Sequence, residues 1–110
     1  VHEYDKAFSG IPKHAIKILM MHSPETLEQA YRHGTDFIVC GHTHAGQLCL
    51  PGGIPIWMNA NCPRTYCRGP WYYKGMPGYT SAGVGSSGLP LRINCPPEIA
   101  IHHLKSKPRR

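Results

Sequence analysis

Phe37-Ile38-Val39-Cys40-Gly41-His42-Thr43-His44 is the stretch on which the fold turns. Four apolar, largely β-favouring residues run into a glycine, and two histidines follow with one residue between them. Such a run predicts a buried strand that stops abruptly and presents two imidazoles at its C-terminal end, the edge at which open α/β sheets hold their ligands. Upstream, Ile16-Lys17-Ile18-Leu19-Met20-Met21 is a similar run, and it ends in His22. Its nearly continuous apolar character is that of a strand covered on both faces. Two strands that each finish in histidine point to one shared metal site.

Between the two runs lies a helix signal. Ser23 can cap, Pro24 suits the first helical position, and Glu25 favours the positive end of the helix dipole. Leu27, Ala30 and Tyr31 share one face, and Gly34 stands where a left-handed C-terminal residue is needed. Strand, helix and strand in this order make a βαβ unit with parallel strands, so His22 is carried towards His42 and His44. Residues 1–13 read as an entry segment with a short helix near residues 4–8. Residues 47–50 read as a short strand stopped by Pro51-Gly52-Gly53, and residues 54–77 show no stable period. Three further strands are expected over residues 79–84, 89–93 and 98–104, so the second half is predicted to be mainly antiparallel. The chain, 1–110, has the length of a single domain, with a basic tail at 105–110.

Composition narrows the function classes. Glycine (12) and proline (11) make about a fifth of the chain against an average of ~12%, so long irregular connections are expected. The net charge of +6 is not a nucleic-acid signal, because Lys105, Lys107, Arg109 and Arg110 carry four of those charges on a tail. Five cysteines form an odd set without regular pairing, which argues against a disulfide framework and for a reducing compartment. No apolar run of ~20 residues is present, so the expected location is cytoplasmic or peripheral to a membrane.

Imidazole is a common transition-metal ligand, and His-x-His on a loop can aim two rings at one ion or at two neighbouring ions. His2, His14, His33, His102 and His103 lack the strand-end placement and are expected on the surface or in packing. A pair of divalent ions brings about four positive charges, normally offset by bridging carboxylates. The six acids are Glu3, Asp5, Glu25, Glu28, Asp36 and Glu98, and none is placed by the pattern to bridge. The residues therefore allow a mononuclear zinc site or an incomplete binuclear one. Cys62 and Cys67 make a C-x4-C spacing with no second pair, a weak metal signal. Arg64, Arg68 and Lys74, set among aromatic residues, are candidate clamps for a substrate phosphate or a lipid headgroup. Arg92 and Glu98 are expected to pair across neighbouring strands.

Gly41-His42-Thr43-His44 followed by Ala45-Gly46-Gln47 resembles the closing motif of the calcineurin-like metallophosphoesterases, in the branch that carries Gly-Gly-Gln there; Ala45 departs by one methyl group. Leu19-Met20-Met21-His22-Ser23-Pro24 resembles the preceding histidine motif. Tyr79-Thr80-Ser81-Ala82-Gly83-Val84-Gly85, Leu89-Pro90-Leu91-Arg92 and Cys95-Pro96-Pro97-Glu98-Ile99 resemble the C-terminal strands of that branch. The resemblance implies the C-terminal portion of an α/β/β/α sandwich and a two-metal phosphoester hydrolase using manganese, iron or zinc. It assigns His22 and His42 to one metal and His44 to the other. The family's opening Asp-x-His, bridging Asp and Asn-His-Asp/Glu stretches, with the histidine credited with leaving-group protonation, have no counterpart here. One ion or none is thus expected on this chain alone, and its catalytic acid is unknown. The implied partners are a phosphoester substrate and either a second copy or the N-terminal half of the domain; the residues themselves, with Trp71 and Tyr72 beside the basic candidates, also allow peripheral membrane contact. The rival expectations are a non-catalytic oligomerising half-domain and a mononuclear zinc hydrolase complete in itself.

Overall fold

The computed structural model describes residues 3–58 and 60–107; His2, Arg109 and Arg110 lie outside them. A short helix, α1 (Tyr4–Ala7), precedes β1 (Ile18–Met21), α2 (Leu27–Arg32) and β2 (Phe37–Cys40). The strands β1 and β2 pair in parallel, Ile18 opposite Phe37 and Met21 opposite Cys40, so the βαβ unit is as expected. Helix α2 starts later than predicted: Ser23 and Pro24 are buried in the turn leaving β1, and the first helical residue follows Thr26. It ends as the sequence suggests. Gly34, at φ 75°, donates to Tyr31 O while Thr35 N donates to Ala30 O, which satisfies the last carbonyls of the helix.

After a 3-10 turn over His44–Gly46 come two short strands, β3 (Cys49–Leu50) and β4 (Ile54–Pro55), which pair with each other. A second 3-10 turn (Arg64–Tyr66) leads into a hairpin of β5 (Gly69–Tyr73) and β6 (Met76–Thr80). Strand β6 then lies parallel to β2, with Ile38 opposite Gly78 and Cys40 opposite Thr80, giving the sheet order β1-β2-β6-β5. The hairpin corrects the expectation of structureless chain up to residue 77. Pro70 and Pro77 hid it, yet both are tolerated. Pro70 is on the edge strand, and Pro77 precedes the point where pairing with β2 begins.

Strands expected over 89–93 and 98–104 are absent from the sheet. Strand β6 is already flanked on both sides, so no edge remains for them beside it. Residues 89–93 contribute one bridge, Ile93 to Leu48. The later segment lies against the sheet face opposite the helices, where the His102 ring meets Phe37 and Tyr79 edge-on.

The core forms on the other face. Ile38 and Cys40 of β2, Trp71 and Met76 of the hairpin, Leu27 and Ala30 of α2, and Tyr4 of α1 pack together. Full burial of Ile38 alone is worth about 2 kcal/mol. Strand β1 departs from its prediction, since Ile18 is 47% and Met20 82% exposed. It is an edge strand, and among the described residues only its Leu19 and Met21 side packs against the core. No helix among the described residues is long and apolar enough to cross a membrane.

Candidate metal centre

Parallel pairing brings the ends of β1 and β2 level, and Gly41 N donates to His22 O at 3.2 Å. This places the His22 and His42 rings with centroids 4.3 Å apart and planes tilted by 38°. The backbone then turns sharply: His42, His44, Ala45 and Gln47 all have positive φ, at 69°, 50°, 52° and 57°. Four left-handed non-glycine residues within six positions are a concentration of local strain of the kind held at functional sites. Thr43, the spacer between the histidines, anchors the turn. Its buried hydroxyl donates to Cys67 O at 2.6 Å and accepts from Ala45 N at 3.2 Å.

His44 is partly buried, and its Nδ1 is buried without a partner. Burial, then the nearby Arg92 guanidinium and His42, lower its pKa from 6.5, against a smaller opposing effect of the Gly85 backbone. The ring is therefore neutral at pH 7, the form that ligates metal. Arg92 does not pair with Glu98. Its guanidinium gathers carbonyl oxygens instead, Ala82 and Cys95 at 2.8 Å, His44 at 3.3 Å, and Gly85. Glu98 accepts from the Tyr79 hydroxyl at 2.7 Å and from Ala82 N at 3.2 Å. Desolvation, and then that carboxylate, push the Tyr79 phenol up to about 12.

The other acids near the sheet are engaged elsewhere. Asp36 accepts from Lys17 N at the opposite edge, Glu25 from Asn61 N, and Glu28 from Arg32, Tyr73 and Lys74. Among the described residues, no three His, Cys, Asp or Glu side chains gather closely enough to hold an ion. The residues fit a metal as a partial donor set: two adjacent imidazoles, and a third, neutral, with an unpartnered buried nitrogen.

The basic candidates divide by position. Arg68 directly precedes Gly69, which pairs with Thr80, so it stands at the histidine edge; Arg64 is exposed on the preceding turn. Arg68 donates to Gly53 O at 3.2 Å. Lys74 belongs to the β5–β6 turn at the edge where β2 begins, and it is held by Glu28 at 2.8 Å. Cys62 and Cys67 are close, with Cys67 Sγ donating to the Pro63 and Cys62 carbonyls, and burial first pushes the Cys67 thiol up to about 12. Such a thiol is a poor metal ligand, because ligation needs the thiolate. Sequence reasoning missed Thr43, Gln47 and Arg92 as supports of this edge. The motifs contain them but do not show these roles, because each also bonds backbone groups far along the chain: Thr43 to Cys67, Gln47 to Ser87 and Leu89, and Arg92 to His44.

No protein-family model matches the chain, and no solved structure does. Curated relatives do. It is 33% identical over 107 residues to an uncharacterized metallophosphoesterase of Helicobacter pylori, covering 96% of this chain and 28% of that one. It is 30% identical over 104 residues to the uncharacterized metallophosphoesterase YkuE of Bacillus subtilis, covering 94% and 36%. It is 34% identical over 89 residues to the phosphodiesterase YaeI of Escherichia coli, covering 80% and 32%. With the mixed sheet and the Gly-His-Thr-His turn, these similarities make the chain a member of the metallophosphoesterases, consistent with the C-terminal half of such a domain. It spans about a third of the length of the curated relatives it matches.

Proposed function

We propose that the chain supplies the histidine-bearing half of a two-metal phosphoester hydrolase site, with His22 and His42 as ligands of one divalent ion and His44 as a ligand of the second. The observation that carries this reading is the 4.3 Å approach of the His22 and His42 rings at the C-terminal ends of two parallel strands. Bound divalent ions would polarise phosphoryl oxygens and activate a water molecule for in-line attack. The chain's own residues prepare that chemistry. His44 is kept neutral by burial and by Arg92, and Thr43 and Arg92 fix the turn that carries it. Arg68, at the same edge, and Arg64, exposed on the turn before it, are the cations suited to receive the substrate phosphate. Lys74, tied to Glu28 at the opposite edge, is the least suited of the three.

Calorimetric titration of the chain with zinc and with manganese tests this. Uptake is expected in the unaltered chain, with near-complete loss in the variant carrying Ala at all three histidines. Unchanged uptake in that variant would sink the assignment. A complete one-zinc hydrolase is not favoured, since no three candidate ligands among the described residues gather together.

A second reading has one observation behind it: the exposed Ile18 and Met20 on edge strand β1. Unpaired edges recruit further strands, so this chain would then act as a non-catalytic module that pairs with itself. Sedimentation velocity distinguishes the two. A stable dimer without metal uptake would favour the module.

A further inference from the structure

Beside His44 the turn opens into a cavity of about 250 Å³. Its walls include Leu48, Ile56, Trp57 and Leu89, while Thr43 and Gln47 contribute its polar edges. Those polar groups are already committed. The Thr43 hydroxyl donates to Cys67 O. The Gln47 amide donates to Ser87 O at 3.2 Å and Leu89 O at 2.7 Å, and its oxygen accepts from Ser87 N at 2.7 Å. Among the described residues, no Lys, Arg, Asp or Glu lines the space. Trp57 is 69% exposed, leaving an indole face open to contact.

We propose that this cavity is a subsite for a flat apolar substituent of the phosphoester, the alcohol part of the substrate, held against Trp57 while the phosphate lies on the His44 side. The proposal rests on the hydrolase reading above. Three observations carry it. His44 lines the cavity and is also one of the candidate metal ligands, so the cavity adjoins that ligand. The Thr43 and Gln47 side chains on its wall have their hydrogen bonds satisfied internally, so an apolar guest leaves neither unpaired. The volume of about 250 Å³ lies below the ~300–1,000 Å³ of drug-sized pockets, which suits a single ring better than a nucleoside. A charged or sugar-like alcohol would find no unengaged donor or acceptor on the Thr43 and Gln47 side chains, and no ionised partner.

The test follows Trp57 fluorescence in the metal-free chain as phenylmethanol, phenyl phosphate or inorganic phosphate is added. Both aromatic compounds are expected to change the emission, and inorganic phosphate is expected to leave it unchanged. Trp71 is buried with its indole N–H bonded to Thr80, so the Trp57→Phe variant supplies the background. Ile56→Asp and Leu89→Asp alter exposed positions, which keeps folding intact, and each should weaken both aromatic compounds by about tenfold or more. The His22→Ala/His42→Ala double variant should lose metal uptake but keep the aromatic response, so loss of the metal assignment and loss of the subsite are read separately. Absence of an aromatic response in the unaltered chain, or unchanged affinity in both Asp variants, overturns the proposal. So does an equal response to inorganic phosphate.

Discussion

The rings of His22 and His42 stand 4.3 Å apart although they come from two different strands, and the contact exists only because β1 and β2 are parallel and in register. As the proposed ligands of one ion, the two should act as a unit. His22→Ala and His42→Ala should each weaken metal uptake by more than the ~10-fold that loss of a supporting partner typically costs. The double variant should then lose little more than either single one. Calorimetry on the three variants checks this, and simple additivity of the two losses would mean the rings do not share an ion.

Ala45 sits at φ 52°, where a side chain costs about 1–2 kcal/mol relative to glycine. Its methyl is fully buried against Cys49, Ala82 and Cys95, worth about 0.8 kcal/mol, and glycine adds roughly 0.4–1 kcal/mol of chain entropy to the unfolded state. These terms nearly cancel. Ala45→Gly should therefore shift stability by less than about 1 kcal/mol, whereas Ala45→Val, β-branched in a left-handed position, should destabilise clearly. Urea unfolding of both variants decides it.

Gly78 packs under Trp71, and a Cβ added there would fall onto the indole ring. The ring cannot swing away without breaking its N–H bond to Thr80 Oγ1 at 2.8 Å. Gly78→Ala should cost about 1–3 kcal/mol through overpacking. It should also change the near-ultraviolet dichroism of Trp71. A variant as stable as the parent, with an unaltered spectrum, would contradict this packing.

Glu28 receives hydrogen bonds from Lys74, Tyr73 and Arg32, and its carboxyl is lowered from 4.5 to about 2, with Lys74 the largest cause. The folded value lies below the ordinary one, so the stabilising contribution is present above pH 4.5 and is lost as pH falls towards 2. Glu28→Gln should therefore lower Tm at pH 7 and make little difference near pH 2. High salt should shrink the effect, since these groups face solvent. Thermal melts of both proteins across that range provide the check.

His33 shows the opposite sign. Asp5 at 2.9 Å, and then Gln29 O, raise its pKa above 6.5. Its contribution, which ties α1 to the end of α2, is present below 6.5 and lost as pH rises through the raised value. In Asp5→Asn, the His33 proton resonance should titrate at lower pH than in the parent; an unmoved midpoint would show that the pair does not form in solution.

Legible in the chain by itself were the βαβ unit, the stop after Cys40 and the three strand-end histidines, because apolar runs, a helix signal and Gly34 are local features acting over a few residues. The edge assignments of His22, His42 and Asp36 follow from parallel pairing alone. What only the tertiary structure decided is distributed over long separations. The β5–β6 hairpin was masked by Pro70 and Pro77, which are tolerated because one lies on the edge strand and the other precedes the pairing with β2. The expected strands over 89–93 and 98–104 found no open edge beside β6. Arg92 turned from an expected Glu98 partner into a collector of four carbonyls, and β1 kept an exposed face. Each of these depends on which backbone groups and surfaces are left unsatisfied once the sheet has assembled, a quantity that no window of neighbouring residues contains.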